Sequence, residues 1–200
     1  MCLDWIWPTA CAGCDRPLAG RLCVECAANR PAATAPPAGL DFATAWAPYA
    51  GPIGRAVRRT KYVPDRDLGV LLSVRAAEAL GPLMVDEAAW VPVPSPWDRR
   101  LWRGFSLPHL FVRELNRCRP QPIADVLAIG RGPRQAGIAT WDRRANVAGR
   151  LRITGSVPPR VVLVDDVVTT GATATACADL LRLEGAKHVG IVALCDARSR

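Results

Sequence analysis

The sequence predicts an α/β protein in which a mostly parallel sheet is flanked by helices and preceded by a small metal-binding module. Residues 161–164 (Val-Val-Leu-Val) form a continuous apolar run, which is typical of a strand covered on both faces. A helical pattern over residues 172–184 and an apolar strand over residues 189–194 follow, and this order predicts a right-handed βαβ unit. Near the N-terminus, four cysteines occur as two Cys-x-x-Cys pairs, a spacing typical of metal sites.

Hydrophobic periodicity predicts the remaining elements of this fold. Strands are expected over residues 42–46, 90–93 and 125–129, and helices over residues 53–62, 68–80 and 107–118. The last helix has Pro108 in its first turn, where a missing backbone N–H is tolerated. Residues 130–150 are rich in glycine and arginine without a clear period, so we expect a long loop there, of a kind that is usually functional or mobile.

The chain is long enough for one compact domain and a small appendage. Residues 1–30 carry the cysteine pairs, and residues 31–39 (PAATAPPAG) are rich in proline and alanine, which predicts a semi-rigid linker. Residues 40–200 then form the α/β domain. No apolar run reaches the roughly 18 residues that span a bilayer, and the N-terminus does not resemble a secretory signal. A cytoplasmic location with no membrane span is therefore expected.

The formal net charge is +8, and the distribution of charge is more informative than its total. Residues 99–144 contain ten arginines against three acidic residues, a local excess of seven positive charges. Such a region attracts polyanions, which include both nucleic acids and phosphorylated small molecules. A basic surface that is simply solvated is the alternative interpretation.

Carboxylates, threonines and a glycine directly follow the strand at residues 161–164. Asp165 and Asp166 come first, and Val168, Thr169, Thr170, Gly171, Ala172 and Thr173 then lead into the predicted helix. Ligands of open α/β sheets bind beyond the carboxyl ends of the strands, and the free amides and dipole of a helix N-terminus favour anions. A glycine lets the backbone approach a phosphate closely, and threonine hydroxyls can donate hydrogen bonds to its oxygens.

The two aspartates would repel a phosphate in direct contact. We therefore expect them to lie a few ångströms away from it and to accept hydrogen bonds from sugar hydroxyls, so that the ligand is a 5′-phosphorylated ribose. The sequence lacks the Gly-x-x-x-x-Gly-Lys-Ser/Thr pattern of nucleoside-triphosphate loops, which disfavours that class. Helix caps and turn formers without a ligand are the alternative interpretation of these residues.

The segment resembles the phosphoribosyl-diphosphate signature of type I phosphoribosyltransferases, in which four apolar residues, two acids and two apolar residues precede Thr-Gly-x-Thr. This resemblance implies that phosphoribosyl diphosphate (PRPP), chelated by magnesium, binds through Asp165, Asp166 and residues 168–173. Other motifs are similar to the ComF/GntX branch of the family: Leu3-Asp4-Trp5-Ile6-Trp7-Pro8, Tyr49-Ala50-Gly51, Lys61-Tyr62, Val91-Pro92-Val93-Pro94-Ser95, Arg103-Gly104-Phe105, and Gln135, Arg143, Asn146 and Gly149.

The resemblance also implies which basic residues would meet the diphosphate. In the parent fold, the loop after the strand at residues 91–93 cradles it, which makes Arg99, Arg100 and Arg103 candidates because guanidinium groups match phosphate oxygens. The loop at residues 130–150 corresponds to a hood that closes over the substrate, with Arg131, Arg134 and Gln135 as its candidate contacts. Solvated arginines are the alternative in both regions. The sequence departs from the family pattern at Ser106-Leu107, where relatives have Asn-Gln after Arg-Gly-Phe.

Cys11, Cys14, Cys23 and Cys26 form a C-x2-C-x8-C-x2-C array. Each pair makes a tight turn that presents two thiolates to one tetrahedral ion, and the eight intervening residues are enough to double back. Structural zinc would supply the folding energy of a segment too small to have its own core, and the spacing resembles that of the ComF finger. The alternative is a redox pair, which a thioredoxin-like βαβ setting would support, and none surrounds these cysteines.

Two functional hypotheses follow. In the first, the protein is a phosphoribosyltransferase that moves phosphoribosyl from PRPP to a nitrogen acceptor. Some purine-specific relatives carry an aspartate general base in the loop, and the matching position here is Thr169. In the second, it is a non-catalytic adaptor that binds PRPP and single-stranded DNA, because ComF relatives are associated with DNA uptake in natural transformation. Trp97, Trp102 and Phe105 could then stack on bases, although core packing explains them equally well.

Overall fold

A computed structural model describes residues 10–84, 87–95, 101–130 and 149–198. The helices are α1 (Val24–Ala27), α2 (Pro52–Tyr62), α3 (Arg66–Leu80), α4 (Leu107–Cys118) and α5 (Ala172–Leu183). The strands are β1 (Ala32–Thr34), β2 (Phe42–Pro48), β3 (Ala89–Pro92), β4 (Leu127–Ile129), β5 (Leu151–Ile153), β6 (Arg160–Val168) and β7 (His188–Asp196). Five strands form the main sheet in the order β1-β2-β7-β6-β3, and β4 and β5 form a separate antiparallel pair.

The predicted α/β class is confirmed, because β2, β7, β6 and β3 pair in parallel and helices lie on both faces of the sheet. Successive side chains of β6 alternate between the faces. Val162 and Val164 pack into a core with residues of α2, α3 and α4, whereas Val161 and Leu163 pack with α5 and the β4–β5 pair. Burial on both sides explains why residues 161–164 are apolar without a break.

Local signals explain where the helices begin and end. Asp65 caps α3 by accepting a hydrogen bond from the Leu68 backbone N–H at 2.9 Å, and α4 carries its proline within the first turn as predicted. After α5, Gly185 adopts a φ of +105°, the left-handed conformation that favours glycine at a helix end. The helices predicted over residues 53–62, 68–80, 107–118 and 172–184 are therefore confirmed to within two residues at each end.

Three details differ from the predictions. Residues 32–34, part of the predicted linker, form the edge strand β1, which pairs antiparallel with β2. The strand that begins at Arg160 continues to Val168, because β7 offers pairing partners up to Asp196. Leu151–Ile153 form a strand that pairs with β4 and that periodicity over three residues could not indicate. The division into a module at residues 1–30 and a domain at residues 40–200 stays a prediction.

Some predictions fall on residues that the structure does not describe. These include the N-terminal motif at residues 3–8, Trp97, and most of the loop expected over residues 130–150. Within the described ranges, no helix combines the length and the apolar character that crossing a membrane requires.

Candidate functional site

The carboxyl ends of four parallel strands meet at one edge of the main sheet. β2, β3, β6 and β7 end there at Pro48, Pro92, Val168 and Asp196. This is the edge at which open α/β sheets bind ligands. The segment singled out in the sequence, residues 165–173, runs along this edge from β6 into α5.

The loop between β6 and α5 is open to solvent. Thr169 and Thr170 are exposed, whereas Val168 is buried in the core beneath them and Thr173 is partly buried in the first turn of α5. The Ala172 N–H donates to Thr170 Oγ1 at 3.3 Å, and the first helical bond runs from Thr175 N–H to Gly171 O at 2.8 Å. The amides of residues 172–174 therefore precede the first helical hydrogen bond, where N–H groups suit an anion.

Gly171 caps α5 with a φ of +78°, in the left-handed region that L-amino acids with side chains rarely adopt. A Cβ at this position would lie 2.8 Å from both Cβ and Cγ of Pro37. Conformation and crowding therefore both require glycine. Pro37 belongs to the segment predicted as a linker, so this segment forms a wall of the candidate site.

The two aspartates of the signature have different surroundings. Asp166 forms an ion pair with Lys61 of α2, with 2.8 Å between Oδ2 and Nζ, and its side chain is 16% exposed. Asp165 accepts a hydrogen bond from the Asp166 backbone N–H at 2.7 Å. Burial, followed by repulsion from the Asp166 carboxylate, raises the pKa of Asp165 to about 7, although Lys61 acts to lower it. Asp165 is thus close to its midpoint of ionisation at neutral pH.

Lys61 is a site residue that sequence reasoning did not assign to the site. It belongs to the Lys61-Tyr62 motif, and its ammonium group neutralises Asp166 from the last turn of α2. A signal was present: only two lysines, Lys61 and Lys187, occur among 26 basic residues that are otherwise arginine. A compact ammonium group at one such position suits a tight pocket better than a guanidinium fork.

Replacing Asp165 with asparagine should raise the free energy of unfolding of the ligand-free protein at pH 8 by about 2 to 4 kcal/mol. The pKa is about 7 in the folded protein against 3.8 as the ordinary value, so ionisation of this carboxylate opposes folding. That cost is absent below pH 3.8, grows as the pH rises to 7 and is complete above it. Urea unfolding at pH 4 and pH 8 measures the difference, which should be small at pH 4. A variant less stable than the wild type at pH 8 would contradict this account.

The four cysteines of the N-terminal array come together as predicted. Their sulfur atoms all lie within 4.8 Å of one another, and Cys14 Sγ is 3.8 Å from Cys23 Sγ. A tetrahedral zinc ion with Zn–S bonds of about 2.3 Å would place its ligand sulfurs roughly 3.8 Å apart. The geometry of the cluster therefore fits a metal ion such as zinc.

Backbone groups of the module support Cys11 as a thiolate. The N–H groups of Gly13 and Cys23 point at its Sγ, at 3.4 and 3.3 Å. Although burial raises it, these donations, mainly that of Cys23, lower the pKa of Cys11 to about 6. Such N–H···S contacts are the outer-shell interactions that orient thiolate ligands around a metal.

The cysteine module is docked against α2 and α3. Asp15 forms ion pairs with Arg55 and Arg59 of α2, at 3.4 and 2.6 Å, and Arg21 pairs with Asp65 and Asp67 at the start of α3. Ala12 is buried in the same core cluster as Trp46. Because Lys61 lies on α2 as well, one helix contacts both the module and the candidate anion site.

Comparison with known proteins decides the family. The phosphoribosyl transferase domain family matches residues 158–200, which span β6, the loop, α5 and β7. Competence protein F of Haemophilus influenzae strain Rd is 32% identical over 161 residues, which cover 74% of this chain and 70% of that protein. This chain belongs to the ComF family.

One further relative and one solved structure are also similar to this chain. DNA utilization protein YhgH of Escherichia coli strain K12 is 30% identical over 161 residues, which cover 74% of this chain and 69% of that protein. Among solved structures, a hypoxanthine phosphoribosyltransferase of Staphylococcus aureus shares 13% identity at a TM-score of 0.40. The match covers 64% of this ComF chain and 62% of that enzyme, less than two thirds of its length.

The family motif Tyr49-Ala50-Gly51 builds the turn from β2 into α2. The Tyr49 N–H donates to Asp196 O at 2.9 Å, and Arg58 lies over the Tyr49 ring, with 4.9 Å from its Cζ to the ring centroid. A Cβ on Gly54 would lie 1.8 Å from Tyr49 O, so the turn requires glycine there. In this ComF chain the motif thus sets the start of the helix that carries Lys61.

The remaining predicted contacts are only partly described. Arg103 precedes Gly104, whose φ is +73°, in the segment that leads into α4. Arg99, Arg100, Arg131, Arg134 and Gln135 lie outside the described residues. Their roles stay predictions.

The departure at Ser106-Leu107 has a structural explanation. Leu107 is buried against Gly69 of α3, and Ser106 Oγ lies 2.8 Å from His109 Nδ1. His109 Nε2 in turn lies 3.1 Å from Asp125 Oδ2. In this ComF protein, Leu107 therefore serves helix packing and Ser106 belongs to a local polar network.

Proposed function

We propose that this protein binds PRPP with magnesium at the loop after β6, as a cytoplasmic phosphoribosyltransferase-like member of the ComF family. One observation carries the proposal: two aspartates run directly into an open loop, capped by a glycine with positive φ, at the N-terminus of α5. A helix N-terminus attracts the phosphate, and the carboxylates suit the ribose hydroxyls.

Each residue of the site has a role in this proposal. The amides of residues 172–174 and the hydroxyls of Thr169 and Thr170 hold the 5′-phosphate. Asp165 and Asp166 accept hydrogen bonds from the ribose diol. When the ligand enters, Lys61 gives up its bond to Asp166, 2.8 Å long in the free protein, and is available to the negative charge of the ligand.

We further propose transfer of phosphoribosyl to a nitrogen acceptor. The bond from ribose C1 to the diphosphate breaks, a bond from C1 to the acceptor nitrogen forms, and the nitrogen loses a proton. Magnesium neutralises part of the charge of the diphosphate when it is bound. Arg99, Arg100, Arg103, Arg131, Arg134 and Gln135 are the candidates to stabilise the departing diphosphate. Since residue 169 is threonine, the proposal assigns no general base within the loop.

Replacing Asp166 with asparagine should weaken PRPP binding about 10- to 150-fold, because a hydrogen bond to a charged group contributes about 1.5 to 3 kcal/mol. Calorimetric titration with PRPP and magnesium measures the affinity. Asp179→Asn is the matched control, because Asp179 is an exposed aspartate farther along α5, and this variant should bind as the wild type does. Equal affinities of Asp166→Asn and the wild type would contradict the proposal. If PRPP binds, release of diphosphate in the presence of a panel of nucleobases distinguishes a transferase from a protein that only binds PRPP.

We also propose that Cys11, Cys14, Cys23 and Cys26 hold one structural zinc ion. Four sulfur donors suit zinc, and the distance of 3.8 Å between Cys14 and Cys23 sulfurs agrees with a tetrahedral site. Zinc would then maintain the module that packs on α2.

A second candidate function is a non-catalytic adaptor that binds PRPP and single-stranded DNA during DNA uptake. The two relatives are named for competence and for DNA utilization. In this chain, the Trp102 side chain is 58% exposed beside Arg103, as a base-stacking residue requires, whereas Phe105 packs near Gly69 of α3.

Oligothymidine binding, followed by fluorescence anisotropy, tests the adaptor. Affinity should fall steeply as the salt concentration rises. For each phosphate contact, the logarithm of the association constant should fall by about 0.7 per tenfold increase in salt. Trp102→Ala should weaken it about tenfold, consistent with roughly 1 to 3 kcal/mol for one stacked base. Leu101→Ala removes a neighbouring exposed apolar side chain and serves as the control. Binding that is absent or insensitive to salt would exclude this function.

A further inference from the structure

The end of β7 is followed by an arginine that has no role in the proposed function. Arg198 donates to Asp196 Oδ1 from its backbone N at 2.7 Å and from Nε at 3.0 Å, and to Oδ2 from Nη2 at 2.6 Å. Asp196 is only 1% exposed. Burial opposes its ionisation, but the hydrogen bonds from Arg198 prevail and lower the pKa of Asp196 below its ordinary value. This pair is therefore charged, and it holds the guanidinium in one orientation.

The guanidinium of Arg198 lies next to the loop between β6 and α5. Its Nη2 also donates to Thr34 Oγ1 in β1 at 3.3 Å, so Nε and Nη2 are both directed at protein oxygens. Nη1 is the nitrogen near the loop: it lies 3.8 Å from the position that a Cβ on Gly171 would occupy. The Arg198 side chain is 25% exposed, so it is not sealed from solvent.

The position of this cation has an electrostatic consequence. Gly171 caps α5, and the helix dipole already places partial positive charge there. A guanidinium at the same place adds to the positive potential, which is unfavourable without an anion nearby. Asp196 is that anion in the ligand-free protein. A phosphate bound by the backbone amides of the loop would be a second anion beside the guanidinium. Because the guanidinium is already held, it could bind the phosphate without rearrangement.

We propose that Arg198 is a further ligand-binding residue that contacts the phosphate group held by residues 169–173, with Asp196 and Thr34 as its positioning residues. The inference rests on the proposed function and deepens it. It adds a charged side chain to a phosphate site otherwise built from amides and hydroxyls. It also gives β1, in the segment expected to be a linker, a role at the site through Thr34.

Calorimetric titration with ribose 5-phosphate tests the contact. Arg198→Ala should raise the dissociation constant about tenfold or more, as loss of a charge-assisted hydrogen bond does, and Arg198→Lys should recover part of the affinity. Arg182→Ala is the matched control. Arg182 forms a similar ion pair with Asp41, at 2.7 Å, but it lies in the last turn of α5, at the opposite end from the loop. It should lose stability but keep wild-type affinity.

Asp196→Asn separates a ligand contact from a purely structural ion pair. In this variant Oδ1 still accepts the hydrogen bonds from the Arg198 backbone N–H and Nε, so the guanidinium stays positioned. The neutral amide no longer offsets the charge of the guanidinium, so affinity for phosphate should rise about threefold or more. A structural pair predicts instead that Arg198→Ala and Asp196→Asn weaken binding alike. That result, or wild-type affinity of a folded Arg198→Ala variant, would overturn the inference. A wild type that binds neither ribose 5-phosphate nor PRPP would remove the proposed function and this inference with it.

Discussion

Replacing Gly171 with alanine is expected to raise the dissociation constant for PRPP at least about 100-fold. The φ of +78° costs an L-residue about 1 to 2 kcal/mol, and the new Cβ would meet Pro37 at 2.8 Å. Pro37 is a rigid ring attached to the sheet through β1, so the loop rather than the proline has to move. The amides at the start of α5 then lose the arrangement that holds phosphate. Calorimetric titration with PRPP and magnesium measures the loss.

Gly185→Ala is the matched control for this experiment. Gly185 also has a positive φ, +105°, but no heavy atom lies within 4 Å of the position of its Cβ among the described residues. Alanine there should cost about 1 to 2 kcal/mol of stability and leave PRPP affinity unchanged. If Gly171→Ala bound PRPP as tightly as the wild type, the amides of this loop would not be the phosphate site.

Replacing Cys14 with serine is expected to remove zinc from the purified protein and to lower its free energy of unfolding by at least about 3 kcal/mol. Zinc binding contributes about 10 to 16 kcal/mol to small zinc modules, and only part of this is lost here because the module also packs on α2 and α3. The module's own cluster consists mainly of the cysteines with Leu18 and Leu22, which is too little to keep it folded alone. Elemental analysis and thermal unfolding measure the two effects.

Cys118→Ser is the control for the cysteine experiment. Cys118 is an exposed free cysteine at the end of α4, far along the chain from the cluster. Its replacement should change neither zinc content nor stability. A wild-type protein that is purified without chelator and contains no zinc would contradict the assignment of the cluster.

Sequence reasoning predicted the elements whose signals are local. Residues 161–164 and the βαβ unit carry strong periodicity, and the cysteine spacing predicts a cluster without knowledge of the fold. The loop at residues 169–171 could also be placed, because a strand, a glycine and a helix follow one another along the chain.

The features that the sequence did not reveal depend on contacts between distant segments. Lys61 reaches Asp166 only because the fold brings the end of α2 close to β6, and no local pattern indicates that approach. The sequence predicts a linker at Thr34 and Pro37, because the pattern of a three-residue edge strand is too short to detect. The place of Leu107 is likewise explained only by the packing of α4 on α3.

The pairing of the main sheet has a consequence for biosynthesis. Among the described strands, β3 pairs in this sheet with β6, and β2 finds its parallel partner in β7, so both depend on residues 160–196. A ribosome releases these residues after β2 and β3, and until then Trp46 and Trp90, both almost fully buried in the folded protein, have no completed sheet to cover them. Completion of the sheet must therefore wait until residues 160–196 have been synthesised. A messenger cut short before residue 188, the first of β7, would yield a chain prone to aggregate rather than a smaller working domain.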